Sequence, residues 1–270
     1  QELDRLGIPH DAVAIEVTGP FVYASTLQDE FRPVVGGVQI AFGCVGPQCY
    51  VCTDGFTVVR SGTPGLVTCS HCTTTQGHVD STVYTQPWPG LSSSSTIGIE
   101  RRDPAYSTGG SCPLGRQCRV SDSAFVKRKK KVSWSRGLLA RPNAIGSLTL
   151  TSASQTFRIT SEGPASIVGD VLNKVGRTTG WSQGAVEGTC VDVNVSGTSF
   201  TLLCQDAVSA AVAGGDSGSP VFKVTSGNDV ALYGILWGGS GDGALFVFSP
   251  LDGIESDLGP LRTCDPAMGC

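Results

Sequence analysis

Histidine, methionine and charged residues are scarce in this sequence. Its 270 residues include three His and one Met, and Asp, Glu, Lys and Arg together make up 16%. Chemistry that needs an imidazole must therefore use His10, His71 or His78. No apolar run approaches the ~18 residues of a membrane-spanning helix, and the net charge of −4 argues against generic nucleic-acid binding. We expect neither a membrane nor a nucleic acid as a partner.

Glycine and cysteine, in contrast, are abundant. The sequence has 36 Gly, and together with frequent Ser, Thr and Val this is typical of short strands joined by tight turns. It also has 11 Cys, a density that indicates either an oxidising compartment or a bound metal. Because this number is odd, at least one thiol is left over unless it pairs between chains.

Short apolar segments separated by turn residues predict an all-β protein. Residues 55–59 and 65–68 are two such segments around a Ser-Gly-Thr-Pro turn, which indicates a hairpin. Comparable segments recur about every ten residues as far as residue 248, a spacing found in β-barrels and β-sandwiches. Short helices are expected only near the ends, over residues 1–11 and 250–259.

Residues 214–220 form the most distinctive local motif. They read Gly-Gly-Asp-Ser-Gly-Ser-Pro, with Ser217 between Asp216 and a glycine. Glycine allows the backbone to approach a bound carbonyl group and frees successive N–H groups to point at one place, as an oxyanion hole requires. The same residue types are also common turn formers, so a plain surface turn is the alternative.

A nucleophilic serine needs a base, and His71 is the best placed of the three histidines. It follows the apolar residues 66–67 and stands beside Cys72, at the end of a predicted strand. His10 follows a proline in the N-terminal segment, and His78 lies in a polar run. A half-buried structural histidine or a metal ligand is the alternative interpretation of His71.

Three separate motifs resemble those of the chymotrypsin-fold serine proteases. Residues 67–72 (Val-Thr-Cys-Ser-His-Cys) resemble the histidine motif, residues 119–126 (Arg-Val-Ser-Asp-Ser-Ala-Phe-Val) the aspartate motif, and residues 215–220 the serine motif. Their order along the chain, His, Asp, Ser, is the order of that family. Residues 175–186 resemble the second barrel of the bacterial, streptogrisin-like branch. Ser70 and Ser219 depart from the usual Ala and Gly, but both are small.

The resemblance covers about residues 34–258 and implies a fold. We expect two six-stranded antiparallel β-barrels, the first over residues 34–142 with His71 and Asp122, the second over residues 143–250 with Ser217. Residues 1–33 would be an N-terminal extension or a propeptide remnant, and residues 251–270 a C-terminal helix and tail.

The resemblance also implies a catalytic triad. Ser217 would attack a peptide carbonyl group, His71 would transfer the proton, and Asp122 would orient the imidazole. The N–H groups of Gly215 and Ser217 would hold the oxyanion. Asp103 and Asp80 are alternative orienting residues, but among these aspartates only Asp122 leads into an apolar strand.

The same resemblance places the substrate-binding residues. The floor of the P1 pocket would lie near Ala211, Val212 and Ala213. Its far wall, which also pairs with the substrate backbone, would be Leu236, Trp237 and Gly238. Because no acidic residue falls at the floor, we expect an apolar or uncharged P1 residue. Asp242 lies close in sequence and leaves an Arg or Lys preference open.

The cysteine spacing has two interpretations. Cys49, Cys52, Cys69 and Cys72 match the spacing of a zinc ribbon. The resemblance implies disulfides instead, with Cys52–Cys72 next to the histidine motif. In that interpretation we also expect Cys190–Cys204 and Cys112–Cys118, and further Cys44–Cys49 and Cys264–Cys270, with Cys69 as a buried free thiol.

Asp216 needs a cationic partner inside the protein. In many relatives a freed N-terminus supplies it, but here Pro33 follows Arg32 and disfavours cleavage between them. The bacterial relatives imply an internal arginine, for which Arg177 is the candidate.

Taken together, the sequence predicts a secreted, extracellular serine endopeptidase that acts on protein or peptide substrates as a monomer, without a metal or other cofactor. A catalytically silent binding module on the same fold and a zinc-ribbon protein are the alternatives.

Overall fold

A computed structural model describes residues 2–13, 25–86, 95–150 and 155–268. Strands predominate, as the sequence predicts. Their bounds are β1 (Ser25–Thr26), β2 (Val34–Gly36), β3 (Gln39–Val45), β4 (Gln48–Thr53), β5 (Phe56–Arg60), β6 (Thr63–Thr68), β7 (Val83–Thr85), β8 (Thr96–Arg102), β9 (Gln117–Arg119), β10 (Ala124–Arg128), β11 (Trp134–Ala140), β12 (Thr149–Leu150), β13 (Thr156–Glu162), β14 (Val171–Gly176), β15 (Gly180–Asn194), β16 (Phe200–Val208), β17 (Pro220–Ser226), β18 (Asp229–Gly239), β19 (Phe246–Pro250) and β20 (Leu261–Arg262).

Helices are short and lie mainly at the ends of the chain. The α-helices are α1 (Glu2–Arg5) and α2 (Leu251–Leu258), and single 3₁₀ turns cover His10–Ala12, Ser70–Cys72 and Pro266–Met268. The helix expected over residues 1–11 is therefore much shorter than predicted. The described helices include none that could span a membrane.

Two sheets contain most of the strands, and most of their strand pairs are antiparallel. The first runs in the spatial order β20-β5-β6-β10-β8-β7-β3-β4. In the second, β17-β14-β15-β16-β19-β18 follow one another and β17 also pairs with β18, so these six strands close into a barrel. Strands β13, β11 and β2 continue that sheet beyond β18, and β9 pairs with β16. The expected class, all-β with two barrels and a short C-terminal helix, is confirmed.

Several strands join the sheet of the other half of the sequence. β2, β9 and β11 come from residues expected in the first barrel but pair within the second sheet, and β20 from the C-terminal tail pairs with β5 in the first. These exchanges tie the two sheets together, so no single point of the chain separates them.

The segment before β2 is also bonded to residues of both halves of the chain. The N–H of Leu27 donates to the carbonyl of Leu148, and the Leu27 carbonyl accepts the N–H of Gln39 in β3. Leu27 and Phe31 are buried in the main apolar core. Residues 25–33 thus pack as part of the body rather than as a detached extension.

Candidate active site

The turn that carries His71 is fixed on both sides. Strand β6 ends at Thr68, and the 3₁₀ turn Ser70–Cys72 follows. The Ser70 hydroxyl donates to the Asp103 carboxylate at 2.8 Å, and Cys72 forms a disulfide with Cys52 at the end of β4. The His71 side chain is one-third exposed. A rigid turn thus presents the imidazole at the surface of the first sheet.

Asp122 holds both the ring and the backbone of His71. Its Oδ2 accepts the hydrogen bond of His71 Nδ1, and its Oδ1 accepts the His71 N–H at 3.1 Å. The Asp122 carboxylate is buried and lies just before β10, the position the sequence predicted. With Nδ1 used in this way, Nε2 is left as the free proton acceptor of the ring.

His71 and Asp122 shift each other's pKa. Burial alone would lower the pKa of His71, but the charge of Asp122 and its hydrogen bond outweigh burial and raise it above 6.5. Burial alone would raise the pKa of Asp122, and His71 and Arg119 lower it instead. At neutral pH Asp122 is therefore the ionised partner in the pair.

The two alternative aspartates lie elsewhere. Asp103 accepts hydrogen bonds from Arg119 Nη1 at 2.7 Å and from the Ser70 hydroxyl, so it holds the histidine turn at Ser70 rather than at the imidazole. Asp80 accepts the N–H of Thr82 at 2.8 Å, in the loop that follows the histidine turn. The structure brings only Asp122 to the His71 ring.

The serine turn packs against the histidine turn through its backbone. The Ser217 carbonyl accepts the N–H of Thr53 at 2.8 Å and lies 3.9 Å from Cys72 Sγ. Gly218 has φ +93°, and a Cβ there would lie 2.1 Å from the Thr53 carbonyl oxygen, so only glycine fits. The Ser217 hydroxyl makes no hydrogen bond to the described residues, so its bond to the His71 ring stays a prediction.

Two backbone N–H groups of the serine turn have no hydrogen-bond partner among the described residues. Within the described parts of the chain, neither the Gly215 N–H nor the Ser217 N–H donates a hydrogen bond. The Gly214 carbonyl accepts Thr178 Oγ1 at 2.8 Å, and the Asp216 carbonyl accepts the N–H of Ser219 at 2.9 Å. Because C=O and N–H point in opposite directions across a trans peptide, both free N–H groups face away from these partners.

Asp216 is paired with Lys174, not with Arg177. Lys174 Nζ lies 3.2 Å from Asp216 Oδ2, and both side chains are fully buried. The same carboxylate accepts the N–H groups of Thr178 and Thr179 at 2.9 and 3.1 Å. Burial lowers the pKa of Lys174, and Asp216 opposes that effect. A cation from the chain itself thus occupies the place that a freed N-terminus would take.

Arg177 points to another partner. Its Nε donates to Gln39 Oε1 at 2.7 Å, and its side chain packs beside Gly215. The prediction of Arg177 was wrong because the two cationic side chains leave β14 and the following turn in different directions. The signal that could have found Lys174 is a lysine within the apolar strand Val171–Gly176.

Comparison with known proteins identifies the fold. No protein-family model and no curated protein matches the sequence. Among solved structures, Thermobifida fusca protease A is 22% identical, covers 86% of this chain and 98% of its own, and has a TM-score of 0.59. A glutamic-acid-specific serine protease is 24% identical over 85% and 100%, with a TM-score of 0.59. Nocardiopsis protease is 21% identical over 84% and 97%, with a TM-score of 0.57.

This chain has the chymotrypsin-like serine protease fold. All three of these structural neighbours are proteases, one of them named as a serine protease, and each is matched over at least 97% of its own length. The expected resemblance is therefore confirmed at the level of the fold.

The predicted substrate-binding residues of this chymotrypsin-like fold line two facing segments. Ala211 and Ala213 are exposed, and Val212 is half-buried, with its N–H donating to the Gly243 carbonyl at 3.0 Å. A Cβ on Gly239 would lie 2.4 Å from Val212 Cγ1, so the valine side chain reaches the opposite segment.

The opposite segment belongs to β18. Leu236 and Trp237 are buried, and Gly238 is half-buried. The Leu236 carbonyl accepts the N–H of Gly218 at 2.7 Å and the Cys69 thiol at 3.2 Å, so this strand also supports the serine turn. Asp242 bonds to Ser240 and to the N–H of Ala244 within its own exposed turn.

Cysteine pairing excludes the zinc ribbon. The structure contains the disulfides Cys44–Cys49, Cys52–Cys72, Cys112–Cys118 and Cys190–Cys204. Three of the four zinc-ribbon cysteines are thereby used, and the zinc interpretation was wrong. Cys69 is free and buried, as expected. The expected Cys264–Cys270 bond falls on residue 270, outside the described residues.

One further group of potential metal ligands lies at the site. Cys69, His71 and Asp122 each have a ligand atom within 4.8 Å of the others. The His71–Asp122 hydrogen bond already uses two of these atoms, and burial, followed by the charge of Asp122, raises the pKa of the Cys69 thiol well above its usual value. The arrangement favours proton transfer over metal binding.

Proposed function

We propose that this protein is a secreted serine endopeptidase that hydrolyses peptide bonds through an acyl-enzyme. The observation that carries the proposal is the His71–Asp122 hydrogen bond beside a Gly-Asp-Ser-Gly turn, on a chymotrypsin-like fold. The neighbours on this fold are serine proteases, and four disulfides are typical of an oxidising, extracellular compartment.

In the proposed reaction, Ser217 Oγ bonds to the carbonyl carbon of the substrate while His71 Nε2 takes the hydroxyl proton. The resulting imidazolium donates that proton to the leaving amine as the C–N bond breaks. Water then attacks the ester, again with His71 as base, and releases the acid and free Ser217. Asp122 keeps the ring in the required tautomer and stabilises the imidazolium.

The N–H groups of Gly215 and Ser217 stabilise the negative charge on the carbonyl oxygen in this proposal. Two observations support the assignment. Neither N–H group has a partner among the described residues, and the carbonyl groups of Gly214 and Asp216 accept hydrogen bonds. Lys174 supports it further, because it neutralises Asp216 in the middle of the turn.

The proposed substrates are proteins or peptides with an apolar or uncharged P1 residue. Ala211, Val212 and Ala213 present no charge to that residue, and Asp242 is held within its own turn. Leu236, Trp237 and Gly238 would contact the substrate backbone.

The test is hydrolysis of a denatured mixture of proteins of known sequence. The new N-termini are sequenced, and the residue that precedes each of them in the parent sequence is the P1 residue. The wild-type chain should cut after uncharged residues, and Ser217→Ala should abolish cleavage. Cleavage by Ser217→Ala at the wild-type rate would exclude the assignment. A folded wild-type chain that cuts nothing would favour the silent binding module.

A further inference from the structure

A buried glutamine connects the two sides of the candidate site. Gln205 on β16 is wholly buried, and its side-chain amide uses all of its hydrogen-bonding groups. Nε2 donates to the carbonyls of Val120 and Leu203 at 2.9 and 2.6 Å. Oε1 accepts Trp237 Nε1 at 2.8 Å and the Ser249 hydroxyl at 2.7 Å.

The network continues from Ser249 to the orienting aspartate. The Ser249 hydroxyl, itself wholly buried, accepts the N–H of Asp122 at 3.0 Å while it donates to Gln205. Gln205 thus holds the backbone before Asp122 twice, directly at Val120 and through Ser249 at Asp122. Both contacts act on the short segment that links β9 to β10.

The orientation of the amide is fixed by its partners. Trp237 and Ser249 both donate to one end, and two carbonyl groups accept from the other, so a flipped amide would leave all four partners mismatched. In a buried site an unsatisfied polar group reduces stability, so the four hydrogen bonds of the Gln205 amide are expected to form together or not at all. A segment held in this way has one position rather than a range of positions.

We propose that Gln205 is a positioning residue that, together with Ser249, sets the place of the Asp122 carboxylate against His71. Gln205 touches neither substrate nor the reacting atoms in this assignment. It acts through the backbone of residues 120–122. As a statement about catalysis, the inference rests on the proposed function, but the position of Asp122 can be tested without turnover.

The readout is the pKa of His71, followed by NMR of the imidazole in the intact protein. With only His10, His71 and His78 in the chain, the signals can be assigned by single substitutions. Asp122 raises the pKa of His71, and Arg119, Tyr106 and Cys69 are the other titratable groups that interact with Asp122. None of those three is altered in the variants.

Gln205→Met and Ser249→Ala should lower the pKa of His71 and reduce kcat roughly 10- to 100-fold, with a smaller change in KM. Ser249→Thr keeps the hydroxyl and should restore both values. The matched control is Gln86→Met, because Gln86 is another wholly buried amide that bonds to Phe31, Arg32 and Gln39. That variant should lose stability but keep the wild-type pKa of His71.

The inference is overturned if Gln205→Met keeps the wild-type pKa of His71 while losing as much stability as Gln86→Met. A result in which Ser249→Thr behaves like Ser249→Ala also contradicts it, because the hydroxyl would then be irrelevant. If the pKa shifts as expected but wild-type Ser217 is unreactive toward a fluorophosphonate, the positioning role stands and the proposed function fails.

Discussion

Lys174 supplies the counter-charge of Asp216 in the serine turn. It is the only cation that contacts Asp216 among the described residues, and both groups are fully buried. Lys174→Met leaves a buried carboxylate without its counter-charge, which should reduce the free energy of unfolding by about 3–5 kcal/mol. Denaturant titration measures this loss.

Arg177→Met is the control for that variant. Arg177 is half-buried and bonds to Gln39 instead of Asp216, so its loss should cost much less stability. The double variant Lys174→Met with Asp216→Asn should be more stable than Lys174→Met alone, because no uncompensated charge remains. Equal losses for Lys174→Met and Arg177→Met would contradict the assignment of the ion pair.

His71 gives a prediction about pH. A base must be neutral to accept a proton, so activity should rise with pH as His71 loses its proton. Because Asp122 raises the pKa of His71 despite burial, the acid limb of kcat/KM should lie above pH 6.5. Asp122→Asn should shift the acid limb to lower pH. It should also reduce kcat on the order of 10⁴-fold, as in the reference Ser-His-Asp triad. A pH–rate profile of both forms checks this, and an unmoved limb would rule out Asp122 as the partner.

Local motifs and long-range contacts differed in how well the sequence predicted them. His71, Asp122 and Ser217 lie in motifs whose neighbours carry the information, so each could be located from the sequence. Lys174 pairs with a residue 42 positions away, and Gln205 bonds to Val120, 85 positions away. A lysine inside the apolar strand Val171–Gly176 marks Lys174 as unusual, but nothing beside either residue identifies its partner, because the contacts depend on how the strands close into a barrel.

At the scale of elements, β8 and the loop after the histidine turn are joined by a buried carboxyl group. Glu100 Oε2 accepts the N–H of Asp80 at 2.9 Å. Burial, followed by the neighbouring Asp80 carboxylate, raises the pKa of Glu100 from 4.5 to about 7. At Glu100 the folded state therefore binds more protons than the unfolded chain between about pH 4.5 and 7, so the contribution of this group to stability falls as pH rises through that window.

Glu100→Gln should remove the Glu100 contribution and so change the slope of stability against pH, since an amide does not titrate. Chemical denaturation of the wild-type chain and the variant between pH 4.5 and 8 measures the difference. Glu187→Gln, at an exposed position, is the control and should leave the wild-type slope in place. A variant Glu100→Gln with an unchanged slope would show that another group is responsible.

The sequence predicted the location of strands better than it predicted which strands pair with each other. The hairpin of β5 and β6 was visible from its turn and its apolar runs, and it forms as expected. β2 was also visible from its apolar residues Val34 and Val35, but no local pattern indicates that it pairs with β11 in the second sheet. Their pairing is parallel and joins residues about a hundred positions apart, so it follows from packing rather than from any local turn.

Residues 25–33 connect the two halves of the chain. Leu27 is wholly buried in the main core and bonds to residues of both halves. Leu27→Ala should lower the free energy of unfolding by about 2–5 kcal/mol, because it leaves a cavity between the sheets. Leu6→Ala, at a side chain that is 54% exposed, should change it by less than about 0.5 kcal/mol. Equal effects of the two substitutions would show that residues 25–33 are a dispensable extension.

In the proposed function, the two sheets bring Ser217 and His71 together as an activated nucleophile. Its most direct test is labelling with a fluorophosphonate probe, followed by mass spectrometry of the digested protein. We expect one modified residue, Ser217, in the wild-type chain, and strongly reduced labelling in folded His71→Ala. Folded wild-type protein that stays unlabelled, or that is labelled at another residue, would contradict it.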